Sequence, residues 1–415
     1  MQQQSPSRRH SGVHCMSQQL ARQQLLTLLG QPPVTLPEIT EQEWTTLLDM
    51  ASQHRLLPLL QWQLKHEDVR DSIPAAVHER LAAACHRSTL RCLRQGAALR
   101  QVTQLLDEAG IDSLVLKGAY LAFYVYPAAG LRPMRDLDIL VPYAQALHAF
   151  ECLQQAGFVQ SEQSKGHARD WLDKHRHLPP LIDGHGVCIE VHTSVYTTDE
   201  HDAYLSQTQL RTRAIEAQAP GTPTMRVLSP TDQLLHLIVH AAYQHQLDNG
   251  PLIISDIAML LEKHSIDWPL FWRLAKHGGY SKGCYLLLEM ARQAWPRLEL
   301  PPMAAEHQPS SEVMHVSKQL LLNSQQSHRD AYYLMLLDKQ QTLSGKLRIY
   351  AQALFPSREK LLSMQGTPDS ALLGYWIRWQ RFFTQRLPEH LRARRDPQLG
   401  EQTRLLADFE RWLNS

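Results

Sequence analysis

Asp136-Leu137-Asp138 opens an apolar run of Ile139, Leu140 and Val141. Residues two apart in a strand point to the same side, so both carboxylates emerge from one face, and the pattern puts them near an edge of a sheet. An uncompensated pair of such charges is costly, and a divalent cation is the simplest compensation. Two carboxylates so placed can bridge metal ions about 3.5–4 Å apart, the arrangement that activates a hydroxyl and clamps a triphosphate for in-line displacement. That chemistry needs a third acid. Glu190, between Ile189 and Val191, has the apolar, acidic, apolar pattern of a second strand. Asp136, Asp138 and Glu190 are therefore expected to converge, as catalytic groups and as ligands of Mg²⁺ or Mn²⁺.

Phosphate needs cations and free backbone N–H groups. Lys117 and Gly118 close the short apolar run from Ser113 to Leu116 and lead straight into a helical pattern, Ala119 to Tyr126, and such a junction favours an anion. Arg132 and Arg135 add guanidinium forks just ahead of the aspartates. Histidines number 22, mostly scattered singly among polar residues. Two sets stand apart. His177 and His192 fall on the two arms of a hairpin near Glu190, while His236, His240 and Gln244 repeat every four residues along an otherwise apolar helix. A polar stripe on a buried helix must face something polar, either a hydrogen-bonded core or the wall of a cleft.

The elements that position these residues follow from the periodicity. Residues 18–110 read as an N-terminal helical region, with a capping box at Thr40 and Glu43 and one long helix or two stacked ones ending at Gly110. Residues 111–205 alternate strand and helix and carry the Asp183-Gly184-His185-Gly186 turn of the hairpin. A loop-rich connection leads to Ser229-Pro230, and residues 228–415 are again mostly helical. The polar residues 1–17 read as a flexible leader, with Met16 a second candidate start. The fold class is α+β, a small mixed sheet embedded in a mostly helical chain.

Composition narrows the partners. The 42 lysines and arginines nearly cancel the 41 aspartates and glutamates, so no overall field draws the chain to nucleic acid. Basic residues interleaved with aromatics between Lys346 and Arg395 fit the solvated faces of amphipathic helices as well as they fit RNA. Six scattered cysteines without a CxxC pair suit a reducing cytoplasm, and the longest apolar stretch, Leu114 to Pro127, is too short and too interrupted to span a bilayer.

The stretches Leu116-Lys117-Gly118, Tyr126-Pro127, Gly130-Leu131-Arg132-Pro133, Arg135-Asp136-Leu137-Asp138-Ile139-Leu140-Val141 and Ile189-Glu190-Val191-His192 resemble an uncharacterised bacterial nucleotidyltransferase family of the DNA polymerase β superfamily. The resemblance continues through His177-Leu178-Pro179-Pro180, Asp232 to His240, Ser255-Asp256-Ile257-Ala258, Asp267-Trp268 and Leu354-Phe355-Pro356-Ser357, so it covers most of the chain after about Ala51. Lys-Gly stands where the broader superfamily has Gly-Gly or Gly-Ser, and the segment from Gly118 to Asp136 is longer than the broad pattern. The resemblance implies a polymerase-β-like nucleotidyltransferase sheet, a nucleoside triphosphate as donor with Mg²⁺, and a helical remainder shaping the site of an unnamed acceptor, which is a small molecule, a sugar or a protein. Two alternatives share some features. A metal-dependent glycosyltransferase also uses Asp-x-Asp, but it needs strand-helix units ahead of the motif where this sequence is helical. A non-catalytic nucleotide-binding or partner-binding scaffold would have little need of three carboxylates.

Overall fold

After a helical stretch at 20–28, Thr40 starts the next helix by the expected device: its side chain accepts from the Glu43 N–H at 3.4 Å, and the Glu43 carboxylate accepts from the Thr40 N–H at 2.7 Å. Helix α1 (Glu41–Gln53) buries Trp44, Leu47, Leu48 and Ala51, a stripe at helical spacing. After a sharp reversal at Arg55, α2 (Leu57–Gln63) packs on α3 (Ala75–Glu108), which is one continuous helix of 34 residues. The computed structural model describes residues 20–30, 39–65, 73–162, 164, 166–196, 202–218, 224–303, 307–339, 354–355, 371–381, 384 and 396–415. The expected leader at 1–17 lies outside them, as does most of the basic and aromatic stretch from Lys346 to Arg395.

The period then shifts to that of a sheet. Strands β1 (Leu114–Val115), β2 (Asp136–Leu140), β3 (Val159–Gln160), β4 (Leu181–Ile182), β5 (Cys188–His192), β6 (Ile215–Ala217) and β7 (Met225–Val227) form one mixed sheet in the order β3-β4-β5-β2-β1-β7-β6. β2 runs parallel to β5 and antiparallel to β1, which is parallel to β7. The aspartates therefore open the central strand. The expectation of an edge fails because β2 hydrogen-bonds on both sides, and its near-continuous apolar run reflects cover on both faces. The connection after Thr193 is also more ordered than loop-rich: it holds a helix at Gln207–Arg213 and the pair β6-β7, and so extends the sheet to Val227. Strands of two or three residues are too short to show an alternating period, which also hid β3.

Helices cover the sheet and brace the site. α4 (Lys117–Tyr120) follows β1 directly and runs on as a π turn, Leu121–Val125. α5 (Ala146–Gln155) buries Ala146, Ala149, Phe150 and Leu153 between β5 and α3. α6 (Pro230–Val239), entered through the Ser229 N-cap and Pro230, is buried from Thr231 to Val239 and continues as a π turn, His240–Gln244. Arg213 pins its first turn by two hydrogen bonds to Asp232, at 2.9 and 2.7 Å. α7 (Leu252–Lys263) is almost as deeply buried. From the other side, α3 holds the loop between α4 and β2: Ser88 Oγ donates to the Gly130 carbonyl at 2.7 Å and Gln95 Nε2 to that of Met134 at 3.3 Å. Gly130, at φ +85°, passes so close that a Cβ there would lie 2.7 Å from the Thr89 backbone. Among the described residues no helix is long and apolar enough to cross a membrane.

Candidate functional site

A cavity of about 510 Å³ opens where β2 and β5 meet α4, the arginine loop and α6. Lys117, Gly118, Arg132, Arg135, Asp136, Asp138, His177, Glu190, His192, His236 and His240 line it. The cavity is therefore lined by every residue that the sequence singled out.

Strand register brings the acids together. Asp138 pairs with Glu190 across the parallel ladder, and Asp136 with Cys188, so Asp136, Asp138 and Glu190 share a face. His192, two residues beyond Glu190, shares it too: its Nε2 lies 2.7 Å from Asp138 Oδ1 and 3.4 Å from Glu190 Oε2. Lys117 Nζ donates to the same Asp138 oxygen at 3.0 Å. Lys117 sits at φ +41°, a conformation that is costly for a residue with a side chain, at the turn that aims its ammonium at the carboxylates.

This geometry sets the charges. Burial works against ionised Asp138, yet the Lys117 ammonium and the His192 hydrogen bond hold its pKa well below the usual carboxylate range. Asp136 has neither contact. Burial, with Asp138 and Glu190 nearby, pushes it up to about 6. Burial also raises Glu190, but the His192 bond overrides this and leaves it lowered; His192 in turn is lowered by burial and by Lys117 and raised on balance by its two carboxylates. Burial and the surrounding acids push the Cys188 thiol up to about 12, so it is no nucleophile. On α6 and its π turn, burial and Lys117 hold His236 and His240 well below their usual values, so both face the cavity as neutral imidazoles.

Arg132 is already engaged. Its Nε and a terminal nitrogen each donate to Asp256 on α7 at 2.9 Å, and the Tyr126 hydroxyl donates to the same carboxylate at 2.8 Å. A Cβ on Gly118 would stand 2.5 Å from the remaining Arg132 nitrogen. Gly118→Ala should therefore dislodge a buried ion pair and cost about 3 kcal/mol or more in urea unfolding; an unchanged midpoint would show that the pair tolerates the methyl.

Asp256, Arg55 and Arg176 are among the cavity residues that were not recognised from the sequence. Asp256 lies in a quoted family stretch, but its role depends on a partner 124 residues away. Arg55 sits at φ +60° just past α1, with its Nε buried and without a hydrogen-bond partner; burial, Arg135 and Arg132 bring its pKa down to about 10. Arg176 borders the Glu190 side. No motif or period marks either arginine.

Asp138, Glu190 and His192 present ligand atoms that all lie within 4.8 Å of one another, a group able to hold a metal ion; Asp136, on the same face, is not part of that tightest set. Strand-borne carboxylates opposite a cationic strand-to-helix turn are the working parts of a phosphoryl-group transferase. The family model of uncharacterised nucleotidyltransferases matches residues 40–296, well over half of the chain, and the protein belongs to that family. It is a nucleotidyltransferase. In fold it is similar to the crystal structure of an antigenic nucleotidyltransferase-like protein from Paracoccidioides brasiliensis, at 16% identity over 48% of this chain and 87% of the other, with a TM-score of 0.32. No curated protein matches the chain.

Proposed function

We propose that the protein moves a nucleoside monophosphate from a nucleoside triphosphate to a hydroxyl-bearing acceptor and releases pyrophosphate, with Asp136, Asp138 and Glu190 as its catalytic carboxylates. The observation that carries this reading is the register Asp138↔Glu190 on the central strands, facing Lys117 and the arginine loop across one cavity. Asp138 and Glu190, with Asp136 beside them and His192 within reach, suit a divalent ion: a carboxyl raised to about 6 for want of a counter-ion supports the same assignment. Bound there, Mg²⁺ or Mn²⁺ would lower the barrier by activating the acceptor hydroxyl and neutralising the triphosphate. The chain's own groups do the rest. Lys117, Arg135 and Arg55 hold the phosphates; Gly118 leaves room for Arg132, which orders the arginine loop through Asp256. Neutral His236 and His240 offer hydrogen bonds to a bound molecule without adding charge. Six scattered cysteines without a CxxC pair suit a reducing cytoplasm as its compartment.

The test is incubation of the purified protein with Mg²⁺ and each α-labelled nucleoside triphosphate, alone and with cell extract. Label is expected to move to an acceptor fraction in step with pyrophosphate release. Release of phosphate in place of pyrophosphate would reject nucleotidyl transfer.

A further inference from the structure

Arg176 lines the cavity, and among the described residues no carboxylate is paired with it. The Arg176 carbonyl accepts from the Thr193 N–H at 2.8 Å and from its hydroxyl at 3.2 Å, which fastens the arginine to the end of β5, next to His192. Its guanidinium lines the cavity, and one terminal nitrogen is shielded from solvent without a hydrogen-bond partner. Among the described residues the charge-bearing group acting on it is Tyr280, whose own pKa burial raises, so it stays an uncharged phenol. His236, the other titratable neighbour, is held neutral. Of the other cations lining the cavity, Lys117 pairs with Asp138 and Arg132 with Asp256, Asp136 and Asp256 act on Arg55, Asp248 feels Arg135, and Arg329 donates to the Gln325 carbonyl and the Gln326 side chain.

A guanidinium does not discharge at physiological pH, and a buried N–H without an acceptor is destabilising. Such a group persists where a ligand completes it. The triphosphate anchors Arg55 and Arg135 influence each other, whereas Arg176 shares no acidic neighbour with Arg55 and stands instead with His236. Arg176 is thus a cation apart from the Arg55–Arg135 pair, in the same cavity as the carboxylates.

We propose that the acceptor is an anionic small molecule whose phosphate or carboxylate group pairs with Arg176 while its hydroxyl lies toward Glu190. This rests on the nucleotidyltransferase reading of the three carboxylates, which places the acceptor on the Glu190 side.

The experiment measures thermal unfolding with Mg²⁺ and saturating α,β-methylene analogues of ATP, GTP, CTP and UTP, followed by inorganic phosphate in one arm and acetate in the other. With the triphosphate site filled, one or both anions are expected to raise the melting temperature further: phosphate alone assigns a phosphate ester, acetate alone a carboxylate. Arg176→Gln should keep the analogue-dependent rise and weaken the anion's apparent affinity roughly tenfold to a hundredfold, with unliganded stability equal or higher because an unpaired buried charge has gone. Arg176→Lys should retain part of the anion response. Inertness of both anions towards the wild type, or a response that survives Arg176→Gln, overturns the inference and leaves the transferase reading intact. No analogue-dependent rise in the wild type removes both.

Discussion

Asp136→Asn is expected to stabilise the metal-free protein and Asp138→Asn to destabilise it, although each should lower nucleotide transfer by at least about a thousandfold. The two carboxylates belong to one motif and one strand face, but their surroundings differ. Asp138 accepts from Lys117 and His192, so its amide replacement strands a buried ammonium and should cost about 3–5 kcal/mol. Asp136 has no such partner, and its pKa rises from 3.8 to about 6, burial being the largest cause. A carboxyl raised in the folded state binds protons that the unfolded chain has released. Stability is therefore lost as pH rises from about 4 through 6, and the deficit, about 3 kcal/mol, is complete above that range. Asparagine removes it. The gain in Asp136→Asn should appear in urea unfolding at pH 7.5 and vanish near pH 4. Mg²⁺ should raise the wild-type melting temperature more at pH 7.5 than at pH 5, with the difference absent in Asp136→Asn. Equal responses of the two variants, in the same direction, would mean that the acids do not divide the site as the geometry has it.

That division was beyond reach of the sequence, while the motif itself was not. Asp136, Asp138 and Glu190 are legible because strand alternation fixes which side chains share a face, and the apolar residues around them fix the strands. Which acid holds Lys117 depends on the register of β1 against β2 and on the turn at Lys117, neither of which a local period encodes. The same boundary separates Arg132 from Asp256. Both were legible as family residues, but their pairing closes a loop of 124 residues and gives the residue expected at the phosphates a second contact, which braces the arginine loop. His192 was read as cleft lining, and its contact with Asp138 follows only once the parallel ladder is set. Sheet position was misjudged for a related reason: a two-residue β1 and a three-residue β7 carry almost no pattern, yet they put β2 at the centre.

Arg55→Gly is expected to make the protein more stable and the nucleotide site weaker at once. Arg55 follows α1 where a helix usually ends on glycine: its N–H returns to the Ser52 carbonyl at 3.0 Å and that of Leu56 to Ala51 at 2.8 Å, with φ at +60°. A side chain there costs roughly 1 kcal/mol relative to glycine. Burial, then Arg135 and Arg132, works against the Arg55 charge, Asp136 and Asp256 offset them only in part, and its Nε is buried and unpartnered. Backbone strain and like-charge crowding at the same residue favour removal on stability alone, so what opposes removal must be a ligand that the folded protein lacks. A triphosphate supplies negative charge beyond that of Asp136 and Asp256. Glycine should raise the urea midpoint by an amount equivalent to about 1 kcal/mol and weaken the Mg²⁺–triphosphate complex roughly tenfold to a hundredfold by calorimetry, with a smaller effect on the corresponding monophosphate because the tail carries the contact. Arg55→Lys should keep the strain and recover part of the affinity, separating charge from backbone. A lower midpoint with unchanged triphosphate affinity in the glycine variant would make Arg55 a structural residue after all, and would leave Lys117 and Arg135 to hold the phosphates alone.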